Sequence, residues 1–149
     1  MYLRKSQIYR NMKKGFTCGA MDLLHAGHVL MLKECREQCD RLIVGLQTDP
    51  SLDRPQKNRP VQSLEERKIQ LEGCRYVDEI IIYDTEESLV SLLEKLQPNV
   101  RFVGADWEGK EYTGHHLPIP VVFNSRNHGY SSSDLRKRIF ESETAKSSS

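Results

Sequence analysis

The sequence predicts an α/β fold, a doubly wound five-stranded parallel sheet with helices on both faces. Short apolar runs lack the alternation of apolar and polar residues that half-exposed strands show, as expected for strands buried on both faces. Segments with helical spacing of apolar residues alternate with these runs along the chain. The length of 149 residues favours one domain with a sizeable core.

The first strand, helix and strand are predicted close together. Residues 14–19, KGFTCG, form a short buried strand that ends at a glycine. Residues 25–39 carry apolar side chains at positions 29–32, with charged residues between and after them, which fits an amphipathic helix. Residues 40–48, DRLIVGLQT, are a second apolar run and predict the second strand.

A long polar loop is predicted between the second strand and the second helix. Residues 49–62 contain three prolines and alternating charges, and loops of this length are usually functional or disordered. Ser63 and Glu66 then begin the helical segment over residues 63–74. Their spacing is that of a capping box, in which each side chain accepts a hydrogen bond from the other residue's backbone N–H.

The remaining segments continue the alternation. Residues 77–83 and 100–106 predict the third and fourth strands, and residues 87–97 predict a helix between them that ends before a proline. Residues 119–124 predict the fifth strand. Residues 131–140 predict a closing helix, because serine and aspartate favour helix starts.

The predicted domain covers residues 14–141. Residues 1–13 are an N-terminal extension, too polar for a signal peptide, and residues 142–149 are expected to be a disordered C-terminal tail. The four cysteines lack a framework of paired spacings, which indicates reduced thiols in a cytoplasmic protein. Cys35 and Cys39 could share a helix face, but no second ligand pair favours a metal site there.

The charge balance argues against two classes of partner. With 22 Lys and Arg against 21 Asp and Glu, no global field attracts nucleic acid or a membrane surface. No apolar run approaches the length of a bilayer-spanning helix. Any bound anion must therefore meet a local cluster of positive groups.

Four irregular segments are expected at one edge of the sheet. Parallel sheets bind ligands beyond the carboxyl ends of their strands, near the point where the strand order reverses. Residues 20–28 follow the first strand, residues 49–62 follow the second, Asp106 follows the fourth, and residues 124–133 follow the fifth. Their convergence predicts a single binding site.

Two histidines open the first helix, in the stretch GAMDLLHAGH. His25 and His28 lie about one turn apart, so their side chains can point the same way. The free N–H groups and the positive dipole end of the helix favour a phosphate, and Gly27 leaves room for an anion near the backbone. Both imidazoles could donate hydrogen bonds to phosphate oxygens as negative charge develops on them.

Two other interpretations of the histidine pair stay open. A metal site needs a third ligand, for which Asp22, His115 and His116 are candidates, although no His-Glu-x-x-His pattern is present. Alternatively, both histidines could be structural, with satisfied hydrogen bonds. Their position at a strand-to-helix junction, with a glycine between them, favours phosphate chemistry.

The segment RNHGYSSSDLRKRI is a second candidate for phosphate binding. Its serines and Asp134 could be an ordinary helix cap, but together with Arg126 they could complete a cradle for a polyphosphate. The loop with Arg54, Lys57 and Arg59 is a third candidate. Charged loops are usually just solvated, but a mobile lysine beside this cradle could close over a triphosphate.

GAMDLLHAGH resembles the H-x-G-H signature of the cytidylyltransferase-like nucleotidyltransferases, and RNHGYSSS resembles their second signature, R-T-x-G-I-S-T-T. RYVDE and GADWEG are similar to segments of the bacterial glycerol-3-phosphate cytidylyltransferases. The similarity extends from about Lys14 to Ile139. It implies a Rossmann-like fold of the nucleotidylyltransferase type. It also implies transfer of CMP from CTP to a phosphorylated alcohol of the glycerol 3-phosphate type, by direct attack on the α-phosphorus with release of pyrophosphate.

The resemblance also implies Mg²⁺ bound through the triphosphate rather than by protein ligands, a homodimer, and roles for individual residues. The implied catalytic residues are His25, His28, Lys57 and Arg126. The implied nucleotide-binding residues are Ala20, Met21, His25, Gly27, His28, Asp106, Arg126, Asn127, Gly129, Tyr130, Ser131, Ser132 and Ser133. The implied acceptor-binding residues are Asp22, Lys57, Arg67 and Arg75.

The chain departs from the family pattern at several positions. Ala20 and Met21 replace a Thr-like residue and Phe in the first signature, and Asn127 and Tyr130 replace Thr and Ile in the second. Leu89 stands where the glycerol-phosphate enzymes have a lysine that reaches the acceptor. Other substrates therefore stay open: ethanolamine phosphate as acceptor, or ATP with a heptose phosphate. A catalytically silent nucleotide-binding protein is the alternative from a different class.

Overall fold

The computed structural model describes residues 12–147 and confirms the predicted α/β fold. One parallel sheet has the strand order β3-β2-β1-β4-β5, so the order reverses between β1 and β4. The strands β1 to β5 are Lys14–Gly19, Arg41–Gln47, Glu79–Tyr83, Val100–Val103 and Val121–Phe123. The helices α1 to α4 are Ala26–Glu37, Leu64–Glu72, Glu86–Leu96 and Ser132–Ser147.

The sheet is covered on both faces. On one face, Leu32 of α1 and Leu71 of α2 are completely buried in a cluster with side chains of β2 and β4. On the other face, Leu89 and Leu93 of α3 pack against Phe16 of β1 and its neighbours. Full burial of such a side chain stabilises the fold by roughly 1.5–3 kcal/mol. The two helical layers leave the carboxyl edge of the sheet open.

Local capping explains where the helices begin. The predicted box is present at α2, where the Glu66 N–H donates to Ser63 Oγ at 3.1 Å and the Ser63 N–H donates to Glu66 Oε1 at 3.2 Å. Thr85 and Ser88 form a similar box at α3. Gln97 ends α3 in a left-handed conformation. The fourth strand ends earlier than predicted, because a 3₁₀ turn over Ala105–Trp107 follows it.

The prediction of a disordered tail from residue 142 is wrong for residues 142–147, which continue α4. Low hydrophobicity suggested disorder, but the segment has no proline or glycine, and ion pairs Arg138–Asp134, Lys137–Glu141 and Lys146–Glu143 link successive turns. The N-terminal extension and the last two residues lie outside the described residues, apart from residues 12 and 13. In the described part of the chain, no helix has the length and apolar character needed to span a membrane.

Candidate functional site

A cleft of about 550 Å³ opens at the carboxyl ends of the strands, beside the point where the strand order reverses. Asp22 lines it from the segment after β1, Lys57 from the loop after β2, Gly104 from the segment after β4, and Ser132 from the start of α4. The structure therefore brings together the four irregular segments that the sequence placed at one edge.

His25 and His28 cap the start of α1 reciprocally. The Gly27 N–H donates to His25 Nδ1 at 3.0 Å, and the His25 N–H donates to His28 Nδ1 at 3.2 Å. His25 is the N-cap residue and His28 is the third residue of the helix, so the spacing of the motif is that of a capping box built from two imidazoles. Because both Nδ1 atoms accept, each neutral ring carries its proton on Nε2. The structural interpretation is thus correct for one nitrogen of each ring, and the other nitrogen, Nε2, carries a proton that it can donate.

A hydrogen bond between His25 and Ser132 joins the two signature segments. His25 Nε2 lies 3.0 Å from Ser132 Oγ, across 107 residues of sequence. His28 lines the cleft beside it, with the two imidazole centroids 4.1 Å apart. The early and late turns therefore meet across the sheet edge.

The interpretation of Gly27 needs correction. The sequence suggested that this glycine leaves room for an anion near the backbone. A Cβ atom at Gly27 would lie 2.8 Å from the His25 ring and 3.1 Å from His128 Cε1. The space is filled by imidazole rings, and the Gly27 N–H is occupied by His25. Glycine is needed here because it lets those rings pack over the helix start.

Burial keeps both rings neutral at physiological pH. Burial of the His28 ring is the main cause that lowers its pKa to about 4. The nearby His25 lowers the pKa of His28 further, and the carboxylate of Asp22 opposes the shift. Burial is also the main cause that lowers the pKa of His25, and the nearby His128 adds to this shift. The two histidines are therefore neutral hydrogen-bond donors through Nε2–H at neutral pH.

This environment predicts an acid-sensitive contribution to stability. The folded pKa of His28, about 4, lies below its ordinary value of 6.5, so the unfolded chain binds more protons between these values. The stability contribution is complete above pH 6.5 and is lost as the pH falls towards 4. Between pH 6.5 and pH 4, the free energy of unfolding should fall in both the wild type and His28→Asn. We expect the fall to be about 2 kcal/mol smaller in His28→Asn, which lacks this imidazole. Urea titrations at each pH measure this difference, with His115→Ala as control. Equal pH dependence in His28→Asn and the wild type would contradict the assignment.

Asp22 anchors the cleft instead of facing an acceptor freely. Its side chain is 6% exposed, and it accepts hydrogen bonds from the N–H groups of Val61 at 2.8 Å and Gln62 at 2.9 Å and from Arg136 at 2.9 Å. Burial alone would raise the pKa of Asp22, but these hydrogen bonds outweigh it and lower the pKa. Both Asp22 oxygens are thus engaged by the chain, and these contacts give no support to the predicted acceptor-binding role.

The structure places Arg67 and Arg75, two predicted acceptor-binding residues, outside the lining of the cleft. The Arg67 guanidinium is 2% exposed, and it donates hydrogen bonds to four backbone carbonyls, those of Ala20, Gln47, Thr48 and Gln62. It joins the turn after β1 to both ends of the long loop. Arg75 is exposed after α2, where its guanidinium lies 5.5 Å from the centroid of the Tyr76 ring. Neither side chain lines the cleft.

The long loop is ordered by contacts with α3. The Glu86 N–H donates to Asp53 Oδ2 at 2.6 Å, and Arg54 pairs with Glu86 at 3.0 Å. Lys57 lines the cleft, and its ammonium has no ion pair within residues 12–147. An ammonium without an ion pair in the cleft that His28 also lines fits the predicted contact with a polyphosphate. Arg59 is exposed and lies 4.0 Å from Asp49, outside the cleft.

The late signature is divided between the cleft and the surface. Ser132 and Ser133 line the cleft, whereas Arg126 pairs with Asp106 at 2.6 Å outside its lining. This pair joins the segments after β4 and β5. The other predicted nucleotide-binding residues that do not line the cleft are His25, Gly27, Asp106, Asn127, Gly129, Tyr130 and Ser131. Ser131 also acts as the ordinary cap considered above, because its Oγ accepts a hydrogen bond from the Asp134 N–H at 3.1 Å.

Both turns contain strained backbone. Met21, Leu23 and Arg126 have φ values of 51°, 52° and 44°, in the left-handed region that disfavours side chains of this size. Each such residue costs about 1–2 kcal/mol and persists only where the surroundings impose it. Here the Leu23 N–H donates to Gln62 Oε1 at 2.8 Å. The strain lies in the segments that build the site.

Three further side chains lie near the histidines or in the cleft but were not predicted from the sequence as site residues. Arg136 follows Ser132 by four residues, so helical spacing could have placed it on the same face. Arg101 is a charged residue inside the apolar run of β4, an unusual position that could have flagged it. His128 lies close to Gly27, and no sequence pattern indicated that contact.

The metal interpretation gains no support from the described residues. Within residues 12–147, no group of three His, Cys, Asp or Glu side chains could hold a metal ion. His115 and His116, considered as remote ligands, are exposed and do not line the cleft. Asp22, the third candidate ligand, is occupied by Val61, Gln62 and Arg136.

The fold and the cleft define a doubly wound α/β protein with its site at the topological switch point. Residues 16–138 match the cytidylyltransferase-like family, and the chain belongs to that family. This confirms the family resemblance of the two signatures.

Curated relatives include bifunctional proteins HldE. The chain is 39% identical over 125 residues to HldE of Campylobacter concisus and 40% identical over 125 residues to HldE of Campylobacter curvus. Each alignment covers 83% of this chain and 26% of the relative. The chain thus spans about a quarter of the length of these relatives.

Solved structures share the fold. A lipopolysaccharide core biosynthesis protein from Thermoplasma volcanium has a TM-score of 0.67 at 22% identity, with 79% of this chain and 100% of that chain covered. Pantothenate synthetase from Thermus thermophilus has a TM-score of 0.55 at 17% identity, with 85% of this chain and 64% of that chain covered. At these identities the likeness shows the fold alone.

Proposed function

We propose that the protein is a nucleotidylyltransferase. An oxygen of an acceptor phosphate attacks the α-phosphorus of a nucleoside triphosphate and forms a new P–O bond. The bond from the α-phosphorus to the bridging oxygen breaks, and pyrophosphate leaves with its electron pair. The observation that carries the proposal is the pair of neutral imidazoles at a helix N-terminus. His28 lines the cleft together with Ser132 and Lys57, and His25 contacts Ser132.

Each group has a distinct role in this proposal. The Nε2–H groups of His25 and His28 stabilise the charge that develops on the α-phosphate oxygens. On nucleotide binding, a phosphate oxygen replaces Ser132 as the partner of His25. Lys57 neutralises the acceptor or the departing pyrophosphate. Arg126 contacts the nucleotide after exchanging its partner Asp106.

Mg²⁺ is proposed to accompany the triphosphate and to neutralise part of its charge. The two carboxylates that line the cleft, Asp22 and Glu86, are engaged by Arg136 and Arg54. The triphosphate oxygens and water would therefore supply the ligands of the ion. The homodimer and the cytoplasmic location stay predictions.

Among the substrates considered, ATP with a heptose phosphate is better supported than CTP with glycerol 3-phosphate. The similarity to the HldE proteins favours the former pair. Leu89, in the place of the acceptor-binding lysine of the glycerol-phosphate enzymes, is 2% exposed and packs in the core. This position therefore offers no charge to an acceptor. CTP with glycerol 3-phosphate is kept as the second candidate.

Pyrophosphate release from a matrix of substrates tests the proposal. ATP and CTP are each combined with a heptose 1-phosphate, glycerol 3-phosphate and ethanolamine phosphate. We expect the highest kcat/KM for ATP with the heptose phosphate. Faster reaction of CTP with glycerol 3-phosphate would reverse the substrate assignment. No pyrophosphate from any pair, with thermal stabilisation by ATP or CTP, would show a binding protein without catalysis.

Lys57→Ala is expected to lower kcat/KM by about tenfold to a hundredfold with little change in stability. An exposed lysine contributes little to folding, whereas a cation beside a transferred phosphate stabilises developing charge. Substrate kinetics and thermal unfolding are measured on the same preparation. Arg59→Ala, in the same loop but outside the cleft, is the matched control. Parallel losses of activity and stability in Lys57→Ala would indicate a structural loop instead.

A further inference from the structure

Arg101 is a buried cation without a carboxylate partner in the part of the chain that the structure describes. It is 5% exposed and lines the cleft from β4. Its Nη1 donates to the Thr113 carbonyl oxygen, and its guanidinium lies 5.3 Å from the centroid of the Tyr112 ring. Its buried Nε–H has no hydrogen-bond partner. An unpaired buried charge is costly, so a ligand oxygen is the expected partner.

Comparison with Arg67 shows that Arg101 is arranged differently from a purely structural arginine. Arg67 places its Nε and both of its Nη atoms on backbone carbonyl oxygens and does not line the cleft. Arg101 lines the cleft, donates to the Thr113 carbonyl oxygen with Nη1, and has a buried Nε without a partner among the described residues. All three guanidinium nitrogens of Arg67 therefore donate to the chain, whereas Arg101 has a nitrogen without a partner among the described residues.

A second residue that lines this cleft, Arg54, also has a buried donor without a partner in the described part of the chain. Arg54 Nε is buried without a partner, while another nitrogen of its guanidinium pairs with Glu86 at 3.0 Å. Both residues line the cleft. Arg54 and Glu86 therefore present a donor and an acceptor close together.

These groups lie on the α3 side of the sheet, opposite the histidines. Strand register pairs Arg101 with Phe16, whose side chain packs against α3. Arg54 and Glu86 are joined at the start of α3. His25 and His28 cap α1, which packs on the other face. The cleft thus has an α1 side with the histidines, which we assign to the phosphates. Its α3 side carries the Arg54–Glu86 ion pair and the Arg101 guanidinium, which has no carboxylate partner among the described residues.

We propose that the α3-side wall, formed by Arg54, Glu86, Arg101 and Tyr112, is the acceptor pocket, and that Arg101 determines acceptor specificity. The inference rests on the proposed nucleotidyl transfer. The guanidinium groups of Arg54 and Arg101 donate to oxygens of the acceptor, and Glu86 accepts from a hydroxyl group. A hydroxyl that both donates and accepts suits an adjacent carboxylate and guanidinium. The occupant is therefore a phosphorylated sugar, and the Tyr112 ring offers an apolar surface for its C–H groups.

Steady-state kinetics of Arg101→Met test the pocket in the full chain, with ATP and a heptose 1-phosphate. Methionine keeps much of the aliphatic volume and removes the donors. We expect KM for the heptose phosphate to rise about tenfold to a hundredfold, with KM for ATP within about twofold of the wild type. The preference for the heptose phosphate over glycerol 3-phosphate falls accordingly. Arg101→Lys restores part of the affinity, because it restores the charge without the planar donor set.

Two further variants keep the test decisive. Arg41→Met removes an arginine that pairs with Glu79 outside the cleft, and it should leave both KM values unchanged. Glu86→Gln removes the negative charge of the carboxylate in the pocket without altering β4. It should also raise KM for the heptose phosphate. If Arg101→Met does not fold, the Arg101→Lys and Glu86→Gln variants decide the outcome.

The outcomes separate this inference from the proposed function. An active wild type with unchanged acceptor KM in folded variants overturns the pocket but leaves the transfer reaction intact. Parallel increases in both KM values, with a lower melting temperature, show that Arg101 is structural and also overturn the pocket. A wild type that transfers no nucleotidyl group with any substrate pair overturns the proposed function and the pocket together.

Discussion

His28→Ala is expected to lower kcat by about a hundredfold or more, with a much smaller effect on KM for the nucleotide. The Nε2–H of His28 is available in the cleft because its Nδ1 accepts the His25 N–H. This donor gains strength as charge develops on the α-phosphate, so its loss raises the barrier more than it weakens binding. Pyrophosphate release at saturating substrate measures the effect.

His28→Asn separates the chemical role of His28 from its capping role. The asparagine oxygen can accept the His25 N–H in place of Nδ1, but the shorter side chain brings no donor to the position of Nε2. We expect a folded protein with activity as low as that of His28→Ala. His115→Ala, which removes an exposed histidine outside the cleft, should keep full activity. Wild-type turnover in folded His28→Asn would remove the principal role assigned to this residue.

Arg67→Met is expected to lower the free energy of unfolding by about 3 kcal/mol or more. Its guanidinium donates to four buried or half-buried backbone carbonyls, and their partners would be lost together. Each hydrogen bond from a charged donor contributes roughly 1.5–3 kcal/mol, and a carbonyl left unpaired adds a further cost. Urea unfolding monitored by circular dichroism gives the difference in free energy.

Arg75→Met is the matched control for Arg67→Met. The side chain of Arg75 is exposed and its guanidinium lies over the Tyr76 ring, so its replacement should change stability by no more than about 0.5 kcal/mol. Similar stabilities of the two variants would contradict the structural role of Arg67. Restored stability in Arg67→Lys would contradict the importance of the planar guanidinium, because lysine cannot reach several carbonyls at once.

The fold was predictable because its signals are local and repeated. Apolar runs such as residues 42–46 indicate buried parallel strands whatever their neighbours are. The Ser63–Glu66 box is complete within four positions of sequence, and the structure confirms it. The length of α4 was not predictable in this way. Its polar residues 142–147 are helical without burying an apolar face.

The site was predictable where residue type and spacing determine geometry. His25 and His28 lie three apart because a capping box requires that spacing, so their position at the helix start follows from sequence. The partners of Asp22 and Arg67 do not follow from sequence. A carboxylate or guanidinium can bind a ligand or a backbone group equally well, and only tertiary contacts decide which. Arg101 shows the same difficulty, because its partner is a loop from a later part of the chain.

The left-handed residues show a further limit of sequence reasoning. Met21 and Leu23 adopt a conformation that their side chains disfavour, so local preference gave no indication of the turn. Contacts distant in sequence impose it: Arg67 donates to the Ala20 carbonyl oxygen, and the Leu23 N–H donates to Gln62 Oε1.

A crystal structure of the protein with a non-hydrolysable ATP analogue tests most directly whether the early and late turns bind one triphosphate. We expect the α-phosphate within hydrogen-bonding distance of Nε2 of His25 and His28, with Ser132 displaced from His25. We also expect the α3-side wall to be open beside the α-phosphorus. A nucleotide bound elsewhere, or one in the cleft whose phosphates contact neither imidazole, would contradict this binding mode.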